Sequence, residues 1–292
     1  MWSWIDTLVQ GLMLGGLYAL FAMGQSLMFG VMRLTNTAHG DFLILAAFAA
    51  FSLLSAFGLH GVGATAAIQL ALLPLAFVFG YGLQRLVLNG TLGKDPLPSL
   101  VVSFGLSIVI QNMLTEVFTS DPRAIDTGEL NMQSLSLGDH LSVGILPLSI
   151  FIIAILVVAA MQWLFGRTAL GRAFRATSDD KEAAQLMGLD ARRVYGLATG
   201  LAFVLVAIAG TLQGMRTTFS PTDGPALLLL AFESVIIGGL GSFWGTFAGA
   251  LILGATQSIG FRLDPGWGIW FGHIVFLLML ALRPQGLFPK TR

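Results

Sequence analysis

The chain has 292 residues, 55% of them hydrophobic and only 10% charged, with a mean hydropathy of +0.83 and a formal net charge of zero. Soluble domains carry roughly 25% charged residues, so this composition excludes a water-soluble fold and implies a polytopic membrane protein. The neutral balance offers nothing to nucleic acid, and the absence of cysteine excludes disulfides, thiolate metal sites and cysteine catalysis.

About 20 apolar residues are needed for a helix to cross the bilayer. Nine apolar runs approach that length: 8–31, 42–57, 63–88, 97–118, 141–165, 194–216, 226–240, 247–261 and 267–282. They predict an all-α helix bundle forming one membrane domain over 1–292, with eight or nine crossings. The opening MWSWIDTLVQ lacks the basic stretch of a cleavable signal, so the first run is expected to stay as a span. The two runs around Gly241 are short and glycine-rich. They read either as two short spans or as a broken helix that dips in and returns. Trp2, Trp4, Trp267 and Trp270 stand at run edges, where interfacial anchors sit.

Orientation follows from Lys and Arg in short loops. Segment 166–193 holds six of the fifteen basic residues. With that segment cytoplasmic and nine crossings, the N-terminus lies outside and the C-terminus inside. Twelve basic residues then fall inside, and three (Arg123, Arg216 and Arg262) outside. Loop 119–140, acidic through Asp121, Asp126, Glu129 and Asp139, falls outside.

Three polar features stand out. In 166–193, Ser178 is a candidate N-cap, with Asp179, Asp180 and Glu182 in the first turn and Gly188 as a stop. A short amphipathic helix of about nine residues is predicted, with Ala183, Leu186 and Met187 on one side at spacings of three and four. That side suits a headgroup layer or a protein partner. Asn36–Asp41 is a polar hexad between two spans. Asn36, His39 and Asp41 suit a capped turn at a broken helix end or a place on a transport path, and His39 is of the type that titrates near neutrality. Glu233 lies inside an apolar run, where an ionisable residue usually faces the bundle interior and marks function. Its candidate partners are Arg216, His39, exposed amides or an ammonium in transit. Glu116, with Gln111 and Asn112, reads as a solvated span end. No second ligand accompanies any histidine at helical spacing, so no metal site is expected. Glycines four apart (Gly11 and Gly15; Gly196 and Gly200; Gly241, Gly245 and Gly249) predict close helix packing.

Glu182-Ala183-Ala184 followed by Gly188 resembles the EAA loop of ABC importer permeases, the segment that docks on the ATP-binding subunit. The wider text resembles the branched-chain amino acid permease family of the Liv type. The resemblance is carried by Asn36-Thr37-Ala38-His39-Gly40-Asp41, by Gly171-Arg172-Ala173-Phe174-Arg175-Ala176 running on to Gly188, by 231–242 and by the ending Arg283-Pro284-Gln285-Gly286-Leu287-Phe288. It spans nearly the whole chain. Two departures occur: no Ile-x-Leu-Pro follows Gly188, and Thr37 stands where the family usually has Phe.

The resemblance implies a multi-pass permease subunit in the bacterial plasma (inner) membrane. It also implies a heterodimer with a second homologous permease, two cytoplasmic ATP-binding subunits and a periplasmic substrate-binding protein. Branched-chain or other hydrophobic amino acids are the implied cargo, with urea or amides as the alternative. Segment 166–193 becomes the cytoplasmic coupling loop, with Ser178, Glu182, Ala183, Leu186, Met187 and Gly188 its contact residues. Asn36, His39, Asp41 and Glu233 are candidates for the translocation pathway. The chain has no GxxxxGK[ST] phosphate loop, so ATP would be hydrolysed by another subunit. No cofactor is called for. An ion-coupled secondary transporter, with Glu233 or Asp41 as the ion site, is the competing class. A membrane enzyme has no supporting cluster of catalytic residues.

Overall fold

The computed structural model describes residues 2–92, 97–136 and 142–288. The expectations that fall on Lys94, Asp139, Leu141, Lys290 and Arg292 lie outside the described residues, as does the Trp2 side chain. Eleven α-helices follow in order: α1 (Trp2–Met32), α2 (His39–Ala56), α3 (Gly61–Leu86), α4 (Leu97–Phe118), α5 (Ile145–Arg167), α6 (Ala169–Asp179), α7 (Lys181–Leu186), α8 (Ala191–Arg216), α9 (Gly224–Gly238), α10 (Phe243–Leu263) and α11 (Gly268–Leu282). Six of them (α1 to α5 and α8) are long and apolar enough to cross a membrane. The pair α9 and α10, bent by 117° at its break, raises the number to seven if it counts as one span. At 15 residues α11 is shorter. The chain is a multi-pass membrane helix bundle.

The described part of the loop after α4, residues 119–136, holds secondary structure that its sequence did not suggest. Strands β1 (Ser134–Ser136) and β2 (Ser142–Gly144) pair antiparallel just before α5. Their polar, three-residue runs are too short to leave a period-2 signal. The run expected at 247–261 is also longer in the fold. Phe243, Trp244, Gly245 and Thr246 are already helical, because the Ser242 hydroxyl accepts from the Gly245 amide and caps α10.

The core forms around α1, α2, α8, α9 and α10, with Leu17, Phe21, Met23, Leu27, Leu43 and Leu253 fully enclosed. Small residues set the closest approach. Cβ atoms at Gly11 and Gly15 would run into the α10 backbone at Ala255, Ala250 and Leu251. The glycine pairs four apart therefore pack against neighbours in the same chain, Gly196 and Gly200 against Tyr81 and Phe77.

Two helices start inside the bundle rather than at its surface. The imidazole of His39, at the start of α2, lies 2.8 Å from the carbonyl of Phe21. Phe21 stands eleven residues before the end of α1, or about 16 Å at 1.5 Å per residue. Segment 33–38 thus folds back into the bundle, and α2 begins near mid-depth. There the start of α9 meets it: a Cβ on Gly40 would overlap the Gly224 carbonyl, and one on Gly224 would overlap the Asp41 carboxylate.

One end of the bundle gathers the end of α1, α6, the α9–α10 turn and the tail. The Ser178 hydroxyl donates to the Gly30 carbonyl (2.7 Å), while the Leu287 and Phe288 amides donate to the Ile237 and Gly238 carbonyls (2.9 and 3.0 Å). The tail 283–288 therefore satisfies open carbonyls at the α9 C-terminus. At the opposite end, the Arg262 guanidinium binds Ser3 and Thr7 and covers the Trp4 ring at 4.5 Å. Arg123 pairs there with Phe219 in an isolated bridge.

Candidate functional site

Three places hold the polar residues singled out in the sequence: a tip at one end, a junction at mid-depth, and a separate buried pair at Glu233.

The tip is two helices, not one. Thr168 caps α6 by accepting from the Gly171 amide. The spacing Gly171, Phe174, Thr177 then buries one face, with the Phe174 ring 5.4 Å from that of Phe165. Arg175 binds the Phe165 carbonyl. This face carries the helix through Ser178 to Asp179, so Ser178 is not the N-cap expected from sequence. Its hydroxyl instead ties α6 to α1 through Gly30. The break comes at Asp180, in an extended conformation, and the Asp180 carboxylate accepts from the Glu182 and Ala183 amides (both 2.9 Å) to cap α7. Serine and aspartate cap comparably well, and burial of the α6 face decided between them.

In α7 only Ala184 is buried. Leu186 and Met187 are 89% and 85% exposed, among the most open large apolar side chains of the chain. Glu182 and Ala183 are also exposed. Gly188 takes φ +86°, a left-handed conformation that favours glycine, and the Leu189 amide returns to the Ala184 carbonyl. Asp190 then caps α8 and pairs with Arg193 at 3.2 Å. The tip is a short, capped turn on a buttressed helix, presenting two apolar side chains.

The junction forms where α2 and α9 begin. The Asn36 side-chain carbonyl accepts from the Ala38 amide (3.0 Å), and the Asn36 main-chain carbonyl accepts from the His39 amide (3.2 Å). Asn36 and His39 therefore serve the turn. Asp41 is 1% exposed, and its Oδ1 accepts from the Gln111 amide of α4 at 2.9 Å. Gln111 also donates to Ser107 (3.1 Å), and Thr37 shares a 2.7 Å hydrogen bond with Ser103. Gln111 is thus an interior partner of Asp41 and does not belong to a solvated span end. Asn112 and Glu116 are exposed as expected. The missed signal was the repeat Ser99, Ser103, Ser107, Gln111, four apart on one face of α4.

Glu233, also 1% exposed, pairs with neither Arg216 nor His39. Its Oε1 lies 2.5 Å from Nδ1 of His273 on α11. The Arg216 guanidinium reaches the Met13 carbonyl at 3.5 Å, and His39 faces Phe21. Nearby, the Tyr18 hydroxyl donates to Gln257 at 2.6 Å. His273 and Glu233 lie 40 positions apart, so no local spacing announced the pair. Among the described residues no three His, Cys, Asp or Glu gather as a metal would require.

The fold is that of a multi-pass membrane protein with two helices that start inside the bundle, a buried polar junction and an apolar tip at one end. The family profile described as branched-chain amino acid transport system / permease component matches residues 7–282. The high-affinity branched-chain amino acid transport system permease protein BraD of Pseudomonas aeruginosa is 27% identical over 306 residues, covering 99% of this chain and 97% of its own. LivH, the corresponding permease protein of Escherichia coli K12, is 25% identical over 294 residues, covering 98% and 96%. Among solved structures, PsaBC from Streptococcus pneumoniae in complex with Fab is 14% identical over 97% of this chain and 96% of its own, with a TM-score of 0.49.

The chain belongs to this family of transport-system permease components. It is a permease subunit of an ABC importer and not itself an enzyme.

Proposed function

We propose that this subunit carries branched-chain or other hydrophobic amino acids across the bacterial inner membrane, powered through the α6–α7 tip by a separate ATPase. The observation that carries the reading is the tip itself. Leu186 and Met187 stand in the open at the end of α7, which follows directly on α6, the helix anchored by Phe174 and Ser178. Exposed apolar side chains of this size on a rigid element are what a partner's groove takes. Ser178 and Gly188 set the position of the tip, and Glu182, Ala183, Leu186 and Met187 make the contact. ATP closes the ATPase pair, α7 is pushed, and α6 transmits the movement to α1 through Gly30.

The tip end is cytoplasmic, the N-terminus is outside and the C-terminus inside, with eight or nine traverses. Basic residues support this orientation: Arg33, Arg167, Arg172, Arg175, Lys181, Arg192, Arg193 and Arg283 belong to the tip end, and Arg123, Arg216 and Arg262 to the other. Asn36 and His39 hold the helix break, while Asp41 and Glu233 give the path its polar lining. A second homologous permease completes the membrane unit, two ATP-binding subunits lie below it, and a periplasmic binding protein delivers cargo. The relatives named for branched-chain amino acid transport support the cargo class.

The test is uptake into proteoliposomes holding the assembled importer. ATP-dependent uptake of labelled leucine, with little urea uptake, is expected. Urea carried in preference to leucine would overturn the cargo assignment.

A further inference from the structure

We infer that the seam between α2 and α4 is a cation-selective step of the transport path, at which Asp41 receives the ammonium group of the cargo. The inference rests on the importer reading and adds the residues and the charge preference of the passage.

Three observations carry it. The first is the buried face of α4. Ser99, Ser103 and Ser107 stand four apart and lead to Gln111. Ser99 meets the Thr91 hydroxyl at 2.7 Å, Ser103 meets Thr37, and Gln111 bridges Ser107 and Asp41. From Ser99 to Gln111 the ladder rises about 18 Å, more than half the hydrocarbon core. It runs from the loop after α3 to mid-depth, and is neutral until it reaches Asp41.

The second is how α4 is held. Its other face exposes Val101, Phe104, Ile108, Val109, Met113 and Val117. Its inner face meets the bundle through hydroxyl and amide hydrogen bonds along Ser99, Ser103, Ser107 and Gln111, which are individually weak between membrane helices. Toward the other end it meets the bundle through apolar packing, where Ile110 and Leu114 are buried and Phe118 stacks on Phe48 at 4.6 Å. The serine stretch is therefore the part of the seam that opens at low cost, and once open its hydroxyls can bind water or cargo.

The third is Asp41. Its carboxylate abuts the start of α9 and lies in the first turn of α2, two helix N-termini that favour an anion. Yet Oδ2 is buried without a hydrogen-bond partner, and no Lys, Arg or His among the described residues pairs with Asp41. A desolvated carboxylate oxygen left open in this way is costly, and an ammonium, with three donors, is the group that satisfies it. Glu233 also has an unpartnered oxygen, Oε2, but its Oε1 already faces the His273 imidazole, whereas Asp41 faces no basic side chain among the described residues.

The chain contains no cysteine, so Ser107→Cys or Ser103→Cys introduces a single thiol. Either variant is assembled with its ATPases in proteoliposomes. It is then treated with two methanethiosulfonate reagents of equal size, the ethylammonium and the ethylsulfonate, at rest and during ATP turnover. The expected result is labelling that accelerates with turnover, is about tenfold or more faster for the cationic reagent, and is slowed by saturating leucine. Adding Asp41→Asn is expected to abolish the charge preference. The inference is overturned by equal rates for the two reagents, by a preference that survives Asp41→Asn, or by no labelling at either position in any nucleotide state. ATP-driven uptake by the natural chain in the same vesicles distinguishes these outcomes from failure of the importer reading itself.

Discussion

At the scale of single residues, the fold depends on a few contacts in which one partner cannot be spared. Glu233 has His273 as its partner on one oxygen, and its Oε2 is already unpaired. Replacing His273 with Ala would leave the whole carboxylate without a donor. An unsatisfied buried group costs about 1–3 kcal/mol, so His273→Ala is expected to lower the unfolding midpoint in detergent. The double change Glu233→Leu with His273→Leu, which removes both polar groups, should recover most of that loss. A single variant as stable as the natural chain would refute the pairing. Gly224 offers a second check. A Cβ there would overlap the Asp41 carboxylate, whereas one on Gly63 meets nothing within 4 Å. Gly224→Ala is expected to cost about 3 kcal/mol through overpacking, and Gly63→Ala far less, as read by the fraction of monodisperse protein recovered. Burial of Glu233 was legible from the sequence, because an acid in an apolar run must face inward, whereas Asp41 stood in a polar hexad that read equally as a turn. Their partners were not legible, since Gln111 and His273 are brought to Asp41 and Glu233 by helices distant in the chain.

At the scale of elements, the apolar runs fixed most helices to within a few residues, because membrane length and hydropathy constrain them jointly. The failures came where polar segments compete. Segment 166–193 contains several possible caps, and a local reading chose Ser178. The fold chose Thr168 and Asp180, because Gly171, Phe174 and Thr177 gain burial only if α6 runs through Ser178. Asp180→Ala should therefore destabilise α7 by about 1 kcal/mol, while Ser178→Ala should loosen α6 from Gly30 without unwinding α7. Hydrogen exchange at the Glu182 and Ala183 amides distinguishes the two, and faster exchange in Ser178→Ala alone would contradict the assignment. The tip itself carries a binding expectation. Truncating Leu186 or Met187 to Ala should weaken association with the ATPase about tenfold each, in line with an interface anchor worth more than 1 kcal/mol. The unfolding midpoint of the isolated chain should not move, since both side chains are exposed. Full retention of ATPase binding by the double truncation would exclude the tip as the contact.

At the scale of the whole molecule, α2 and α9 start at mid-depth and abut through Gly40 and Gly224, while the α6–α7 tip is tied to the end of α1. A push on α7 thus has a direct mechanical route to the helix that packs against both α2 and α9. The count of traverses could not be read from hydropathy alone, because α9, which begins inside the bundle, has the composition of a span without its length and is broken from α10 by a 117° bend. The most direct measurement is proximity to the ATPase from opposite ends of the bundle. Met187→Cys and Met132→Cys each place a lone thiol on a side chain that is 85% and 89% exposed, one at the tip and one at the other end. Labelled with a short photo-crosslinker in the assembled importer, the thiol at 187 is expected to capture an ATP-binding subunit and the thiol at 132 is not. Capture of the ATPase from 132, or from neither position, would contradict the account.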